Sequence, residues 1–205
     1  MLAMRLLKWV LLNLMLLFAF GCAVAPPIPV ITKDAAIEVI NSDADRATLV
    51  IIQPRNLRYD TRPKAPTNIV DVEGRLLGQV SPHKKTVILI PPGEIRLYAL
   101  SNSLVDRLEG GVRAGKVYYA TIGNLFGGIS FLTLNPRSLD NRWANLESYL
   151  SKNTLVKVEP ARIEEVLSSL GDTSARLKSA DDRWEKYDVP HIEERTIRPE
   201  DGLSM

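Results

Sequence analysis

The sequence predicts a mainly β fold, an antiparallel β-sandwich, followed by a C-terminal α-helical extension. Between residues 35 and 134, short β-branched and apolar runs recur about every ten residues, with Gly or Pro between them, which is typical of antiparallel sandwiches. After residue 134 the apolar residues repeat at intervals of three and four, which indicates helices. A chain of 205 residues is long enough for one such domain and an appendage.

Six apolar runs predict strands, and a seventh run is a further candidate. The six are residues 47–52, 69–72, 75–80, 86–90, 94–99 and 117–122, and the candidate is 129–134. In the run 94–99, the residues Ile95, Leu97 and Ala99 occupy alternate positions. We therefore expect these three side chains on one face of the sheet.

Glycine and proline between the runs predict the turns. The pair Glu73-Gly74 suits a tight hairpin, because glycine accepts a positive φ. We expect five positions to be structural turn residues: Gly74, Gly78, Pro92, Gly93 and Gly115.

Residues 135–172 form the predicted helical extension. Leu139, Trp143, Leu146 and Leu150 share one helical face. Residues 154–158 alternate and could return to the sheet as a closing strand. Pro160 suits the first turn of a second helix, which is expected to carry Ile163, Val166, Leu167 and Leu170 and to end at Gly171. Aromatic residues of the helical segments are expected to pack against the domain rather than form a docking patch; they are Trp143, Tyr149 and Trp184.

Residues 173–205 are predicted to be a charged, mobile tail with at most one marginal helix. Of these 33 residues, six are basic and eight are acidic, a composition that gives little apolar surface to bury. The neighbouring carboxylates Asp181-Asp182 and Glu193-Glu194 are accordingly expected to be solvated rather than to act as acid–base pairs.

The first 21 residues predict an export signal. Arg5 and Lys8 precede an apolar run that ends in small residues before Cys22, the arrangement of a signal peptide. Counted from Trp9 to Ala25, the run has 17 residues, about 25 Å of helix. This is shorter than the hydrocarbon core of a bilayer, about 30 Å.

Residues 17–22 (LFAFGC) resemble the lipobox of bacterial lipoproteins. The resemblance implies that Cys22 receives a thioether-linked diacylglyceryl group and becomes the N-terminus, often with a third acyl chain. Two or three such chains anchor a protein firmly to a bilayer. Ala23 stands where Asp would resemble an inner-membrane retention signal, which favours the outer membrane over the inner. Residues 22–34, which include Pro26, Pro27 and Pro29, are predicted to be an extended tether.

Charge and cysteine content exclude several classes of protein. The formal charge of +2 comes from the two leader cations, so the chain from Cys22 onward has equal numbers of basic and acidic residues. A neutral chain without a basic stripe is not expected to bind nucleic acid. A single cysteine excludes an intrachain disulfide and a cysteine-based zinc cluster.

The segment from Val70 to Ile122 resembles the PEGA-type domains of bacterial envelope proteins and related lipoprotein domains of unknown function. The resemblance rests on residues 71–78 (DVEGRLLG), 87–94 (VILIPPGE) and 114–119 (AGKVYY). It extends to Leu170 if residues 155–170 match the family's final strand and helix. It implies an immunoglobulin-like β-sandwich and brings no catalytic residues.

No residues point to catalysis, a metal or a cofactor. The two histidines are His83, in a polar turn, and His191, near the C-terminus; neither lies in a nucleophile motif. The best ligand candidate is the loop 53–67, which has a local charge of +3 and a tyrosine. Arginine with tyrosine suits anionic glycans or phospholipid headgroups, although a solvated loop is the alternative. Its candidate residues are Arg55, Arg58, Tyr59, Arg62 and Lys64.

Taken together, the residues favour a non-catalytic protein held at the bacterial envelope membrane by a lipid on Cys22. Its domain would lie in the periplasm or at the cell surface and act as an adaptor or binding module for another envelope component, protein or polysaccharide. One alternative is an accessory subunit of a secretion, motility or transport assembly. A more remote alternative is an unrecognised envelope hydrolase.

Overall fold

The computed structural model describes residues 31–32, 43–54, 66–125, 128–136 and 142–204. Eleven strands lie in these ranges: β1 (Ile31–Thr32), β2 (Ala47–Gln53), β3 (Thr67–Val70), β4 (Leu76–Val80), β5 (Lys84–Ile90), β6 (Gly93–Ser101), β7 (Leu104–Val112), β8 (Val117–Leu125), β9 (Gly128–Thr133), β10 (Thr154–Lys157) and β11 (Thr196–Ile197). The α-helices are α1 (Leu146–Lys152), α2 (Ile163–Ser169), α3 (Thr173–Trp184) and α4 (Val189–Glu193). Short 3-10 turns occur at Trp143–Asn145, Pro160–Arg162 and Pro199–Asp201.

The strands form two sheets that pack face to face, and the predicted β-sandwich with C-terminal helices is confirmed. The first sheet has the order β1-β10-β5-β2-β8-β9, and the second has the order β11-β7-β6-β3-β4. Three pairs are parallel rather than antiparallel: β10 with β5, β2 with β8 and β11 with β7. Each joins strands far apart in sequence, where a long connection permits the parallel direction.

The core lies between the two sheets and follows the alternation of the strands. Ile95, Leu97 and Ala99 of β6 all face it, as predicted. They meet side chains of the first sheet such as Leu49 and Ile122, which are fully buried.

Both outer faces of the sandwich are covered by the C-terminal helices. On the first sheet, Trp143 packs edge-to-face against Tyr119 with 6.5 Å between ring centroids. Leu146 and Tyr149 join the same cluster. On the second sheet, α3 places Leu177 in a cluster with residues of β3, β6 and β7, and Trp184 is 8% exposed. The predicted packing role of the three helix aromatics therefore agrees with their positions.

The predicted turns are found at most of the expected positions. Gly74, Gly93 and Gly115 all have positive φ, and Pro92 lies between β5 and β6. Gly78 is different, since it lies inside β4 and not in a turn. A Cβ at Gly78 would be 3.2 Å from the Ile88 side chain, so glycine allows the two sheets to approach closely here.

Several other expectations can be compared with the described residues. The closing strand predicted at 154–158 is β10, and Gly171 follows the second predicted helix. Ile31 and Thr32, at the end of the predicted tether, pair with β10. The export signal, Cys22 and Leu139 lie outside the described residues. None of the described helices is long and apolar enough to cross a bilayer.

The prediction of a mobile tail over residues 173–205 is wrong. Helices α3 and α4, strand β11 and a 3-10 turn all lie in this segment. β11 extends the second sheet by pairing with β7, and Leu203 forms a bridge with Val117. The high charge density does not prevent folding, because Asp181 and Arg195 form ion pairs with strand β7 and Glu194 forms one with Arg142.

Two carboxylates of this segment depart from the expected full solvation, since the side chains of Asp181 and Glu194 are only 35% and 23% exposed. Asp181 pairs with Arg107 at 2.9 Å, and Glu194 pairs with Arg142 at 2.9 Å. Both arginine side chains are less than 10% exposed. The neighbours Asp182 and Glu193 are more than half exposed, as predicted.

Candidate functional site

A cleft of about 660 Å³ lies at one end of the sandwich. At this end β3 turns into β4, and β5 crosses into β6. The lining comes from the β3–β4 hairpin and from strands β5, β6, β7 and β11. The hairpin provides Asp71, Val72, Arg75 and Leu77, and β5 with its turn provides Leu89, Ile90 and Pro91. The remaining residues are Glu94, Ile95, Arg96 and Leu97 of β6, Glu109 and Gly110 of β7, and Thr196 of β11.

One wall of the cleft is an unpaired part of strand β6. β3 pairs with β6 only from Tyr98 to Leu100 and then turns away into the hairpin. On its other side β6 pairs with β7 along its whole length. Within the described ranges, residues 94–97 therefore have no strand partner on the cleft side. Alternate residues of a strand direct their N–H and C=O groups to the same side, so backbone groups of this wall face the cleft.

The opposite wall is the tip of the β3–β4 hairpin, which Asp71 holds in place. The Asp71 carboxylate accepts hydrogen bonds from the backbone N–H groups of Glu73 and Arg75, each at 2.9 Å. It also accepts from Arg75 Nε at 2.6 Å. This hydrogen bond, with the charges of Asp71 and Glu73, raises the pKa of Arg75 above its ordinary value. The wall is thus a rigid turn and not an open loop.

The cleft also exposes apolar surface. Val72 is 54% exposed and Leu89 is 41% exposed, two of the most exposed large apolar side chains among the described residues. Leu77 is only partly buried against the core beside them. Apolar residues at a concave surface commonly mark binding sites.

Among the described residues, the charged side chains around the cleft differ in whether they form ion pairs. Arg96 lies 3.6 Å from Glu109, which also pairs with Arg107. Arg75 is shared by Asp71 and Glu73. Glu94 is exposed and forms no ion pair with any described residue. The cleft therefore contains one carboxylate that is free to pair with a cation from a ligand.

A smaller polar hollow of about 390 Å³ adjoins the cleft across Val72 and Arg96. Its wall includes Tyr98, whose hydroxyl donates to Asp181 at 2.9 Å. Burial, together with this hydrogen bond, raises the pKa of Tyr98. Several polar side chains that line the hollow are already paired with one another, so the larger cleft is the better candidate site.

The sequence-based candidates fall into two groups. Arg55, Arg58, Tyr59, Arg62 and Lys64 are outside the described residues. His83 is an exposed turn residue with φ of 65°, and His191 is exposed and hydrogen-bonded to Asp188. Among the described residues, no group of three or more His, Cys, Asp or Glu side chains could hold a metal ion.

Sequence reasoning missed the cleft because its residues come from five strands. The available signal was the convergence of two predicted turns, Glu73-Gly74 and Pro91-Pro92-Gly93, at the same end of the sandwich. Glu94 and Arg96, next to the second turn, would then have been the polar candidates.

No family model, curated protein or solved structure matches this chain. The PEGA-type resemblance stays a prediction.

Proposed function

We propose that this chain is a non-catalytic, lipid-anchored protein of the bacterial envelope that binds another envelope component in the cleft at the end of its sandwich. The export signal and the lipobox-like residues 17–22 support the anchor. The cleft supports a binding role. The proposal places the protein preferentially at the outer membrane, with its domain in the periplasm or at the cell surface.

The observation that carries the proposal is the position of β1 relative to the cleft. β10 runs parallel to β5, so both strands point toward the end where β5 reaches Pro91. β1 is antiparallel to β10 and pairs Ile31 with Lys157 and Thr32 with Val156. β1 therefore runs away from the cleft end, and Ile31 lies closer to that end than Thr32 does.

The short distance in sequence between Cys22 and β1 limits how far the cleft can lie from an anchor. Nine residue steps separate Cys22 from Ile31, a span of at most about 30 Å at roughly 3.5 Å per residue. An acylated Cys22 would hold Ile31 within this distance of the bilayer surface, and β1 lies in the same sheet as Leu89 and Ile90 of the cleft. A partner that is itself attached to the membrane would be within reach.

The charges of the cleft favour binding over hydrolysis. The Asp71 and Glu109 carboxylates both accept from arginine side chains. A general acid or base needs a carboxylate whose proton affinity is set by an enclosed site. These two carboxylates instead hold the walls of an open cleft in position.

The anchor is tested by intact-mass spectrometry of the membrane-extracted protein beside a Cys22→Ser variant. The expected mass begins at Cys22 and includes two or three acyl chains, and the variant is released or remains unprocessed. An unmodified chain that begins at Met1 and stays in the membrane would overturn the lipid anchor.

The binding role is tested by photo-crosslinking in living cells from a benzophenone amino acid at position 72. Position 189 is the matched control, because Val189 is also exposed, at 68%, but lies on α4 and not in the cleft. Adducts that form from position 72 and not from 189 support the cleft as the binding site. A single stoichiometric protein adduct would favour the accessory-subunit alternative, whereas identical adduct patterns from both positions would contradict the proposal.

A further inference from the structure

We propose that the ligand of the cleft is an extended polypeptide segment of another envelope protein, which adds to the second sheet as a strand along residues 94–97. The segment would carry a lysine or arginine that pairs with Glu94 and apolar side chains that contact Val72 and Leu89. This inference rests on the proposed binding role and specifies its ligand.

The backbone of β6 provides the first argument. Residues 94–97 of β6, on the N-terminal side of Tyr98, continue along the cleft, whereas the neighbouring strand β3 ends at Val70, opposite Tyr98. A strand edge with unpaired N–H and C=O groups is a template for another strand. A polysaccharide could use the apolar surface and the charges, but it would not satisfy a row of backbone groups at strand spacing.

The length of the unpaired edge of β6 sets the length of the bound peptide segment. Residues 94–97 span about 13 Å at roughly 3.3 Å per residue. A bound strand of four or five residues would fill it. β7, on the other side of β6, continues to Val112 opposite Gly93, so the added strand would join an intact sheet and not a frayed end.

The side chains provide the second argument. Residues of an added strand point alternately to the two faces of the sheet. Exposed apolar surface from Val72 and Leu89 is available to apolar residues of the segment. Glu94, which lacks an ion pair among the described residues, is available to a cationic residue.

The same charges argue against the bilayer surface as the ligand. The cleft is lined by three carboxylates and two guanidinium groups, and both guanidinium groups are already paired with carboxylates. Anionic lipid headgroups attract surfaces with an excess of lysine and arginine. A site with an unpaired carboxylate would repel them.

The first experiment selects binders from a displayed library of random dodecapeptides, using the full chain in detergent micelles. We expect enriched peptides to contain a Lys or Arg flanked by β-branched or aromatic residues. A Glu94→Lys chain should bind these peptides at least about tenfold more weakly, equivalent to about 1.4 kcal/mol. Glu164→Lys is the matched control, since Glu164 is exposed on α2, and it should retain the parent affinity. Enriched peptides that bind the Glu94→Lys chain and the parent equally would overturn the charge assignment.

The second experiment tests strand addition directly. An enriched peptide is synthesised in two versions. One is N-methylated at the odd-numbered backbone positions and the other at the even-numbered positions. In an added strand only one phase of N–H groups points to β6. One version should therefore lose at least tenfold in affinity by fluorescence polarisation, and the other should retain binding. If both versions bind like the parent peptide, the segment does not add as a strand.

Failure of this inference can be distinguished from failure of the proposed function. If no peptide is enriched but cleft-specific crosslinks form from position 72, the cleft binds a ligand other than a peptide strand. If the selected peptides bind but the cell crosslinks do not depend on the cleft, the strand-binding property remains and the proposed role in the envelope is wrong.

Discussion

Arg195 Nε lies 3.1 Å from Asp106 Oδ2 in an ion pair that is almost completely buried, with side-chain exposures of 7% and 3%. The same carboxylate oxygen accepts from the backbone N–H of Phe131 at 2.7 Å. Asp106 belongs to β7 of the second sheet, and Phe131 belongs to β9 of the first sheet. One carboxylate thus joins both sheets to the C-terminal segment.

Residues 194–204, here called the closing segment, cover the side of the sandwich where β7 and β9 are the neighbouring edges. The Glu194 carbonyl accepts from Thr133 N–H on β9 at 2.8 Å, and the Arg195 carbonyl accepts from Glu109 N–H on β7 at 3.1 Å. Two exposed strand edges would otherwise be open to association with other chains. The closing segment satisfies both edges within the molecule.

We predict that Asp106→Ala destabilises the protein by about 3–5 kcal/mol, because it leaves the buried Arg195 charge without its carboxylate. The double variant Asp106→Leu/Arg195→Met should lose less than Asp106→Ala alone, since no buried charge is left unpaired. Urea denaturation gives the unfolding free energies. The control is Arg46→Ala, which breaks a surface pair with Asp43 and should leave the unfolding free energy nearly unchanged. A double variant at least as unstable as Asp106→Ala would contradict this assignment.

We predict that Gly110→Ala displaces strand β11. Gly110 has φ of 135°, and a Cβ there would lie 1.9 Å from the backbone oxygen of Ile197. Gly115→Ala is the matched control, because its φ is also positive, at 71°, but no atom lies within 4 Å of the added carbon. Left-handed strain alone costs about 1–2 kcal/mol, and the backbone clash should add about 1–3 kcal/mol at position 110.

Amide hydrogen exchange reports whether β11 has moved in the Gly110→Ala variant. The N–H of Glu109 donates to the Arg195 carbonyl, so this amide should exchange faster in Gly110→Ala and at the parent rate in Gly115→Ala. Equal exchange in the two variants would show that the closing segment tolerates the added carbon.

Most strands and turns of the sandwich could be predicted from sequence because local patterns determine them. Strand β7 (Leu104–Val112) is not among the predicted strands, because charged residues and two glycines interrupt its apolar residues. β6 alternates inward and outward side chains, and Gly74 and Gly115 mark turns by their conformational requirement. The folding of the C-terminal segment onto the sandwich could not be predicted in this way. Arg195 and Asp106 are 89 residues apart, and charge composition does not reveal which charges will meet.

The candidate site was missed for a related physical reason. The sequence emphasised the loop 53–67, where cations are close together in the chain. The cleft depends instead on where β3 ends relative to β6, a relationship between Val70 and Tyr98 that only strand pairing reveals. The turn before Glu94 marks its position in sequence, but the sequence does not reveal that Glu94 forms no ion pair among the described residues.

We predict that the protein loses stability as the pH rises above about 10. Burial is the largest cause that raises the pKa of Tyr98, Tyr118, Tyr119 and Tyr187 above the ordinary value of 10.0. The folded state keeps these phenols protonated at a pH where the unfolded chain ionises. Their stabilising effect is therefore complete below the unfolded pKa and is lost as the pH rises toward the folded pKa.

Guanidinium denaturation at pH 8, 10 and 11 measures this loss. Tyr119→Phe is the informative variant, because burial alone raises the pKa of Tyr119. The variant should show a shallower decrease between pH 10 and 11, by up to about 1.4 kcal/mol per pH unit. An unfolding free energy with the same pH dependence in variant and parent would exclude Tyr119 as a contributor.

The adjacent carboxylates Asp181 and Asp182 should respond very differently to substitution. Asp181 accepts from Tyr98 and from Arg107, each at 2.9 Å, and Arg107 stacks on Trp184 at 4.4 Å from its ring centroid. Asp181→Ala removes the carboxylate that joins α3 to β6 and β7, and it should cost about 1.5–3 kcal/mol, the range for hydrogen bonds to charged groups.

Asp182→Ala serves as the matched control for Asp181→Ala, one position away on the same helix. Asp182 is 53% exposed, and its one ion pair within the described part of the chain is with Lys178, which is 74% exposed. The unfolding free energy should therefore be nearly unchanged. Thermal denaturation of the two variants at pH 7 compares them directly. Alanine has a higher helical propensity than aspartate, so if Asp182→Ala were as destabilising as Asp181→Ala, docking through Asp181 would not be what stabilises this face. A large difference between the two variants would instead show that α3 is held to the sheet by the ion pair and the tyrosine hydrogen bond.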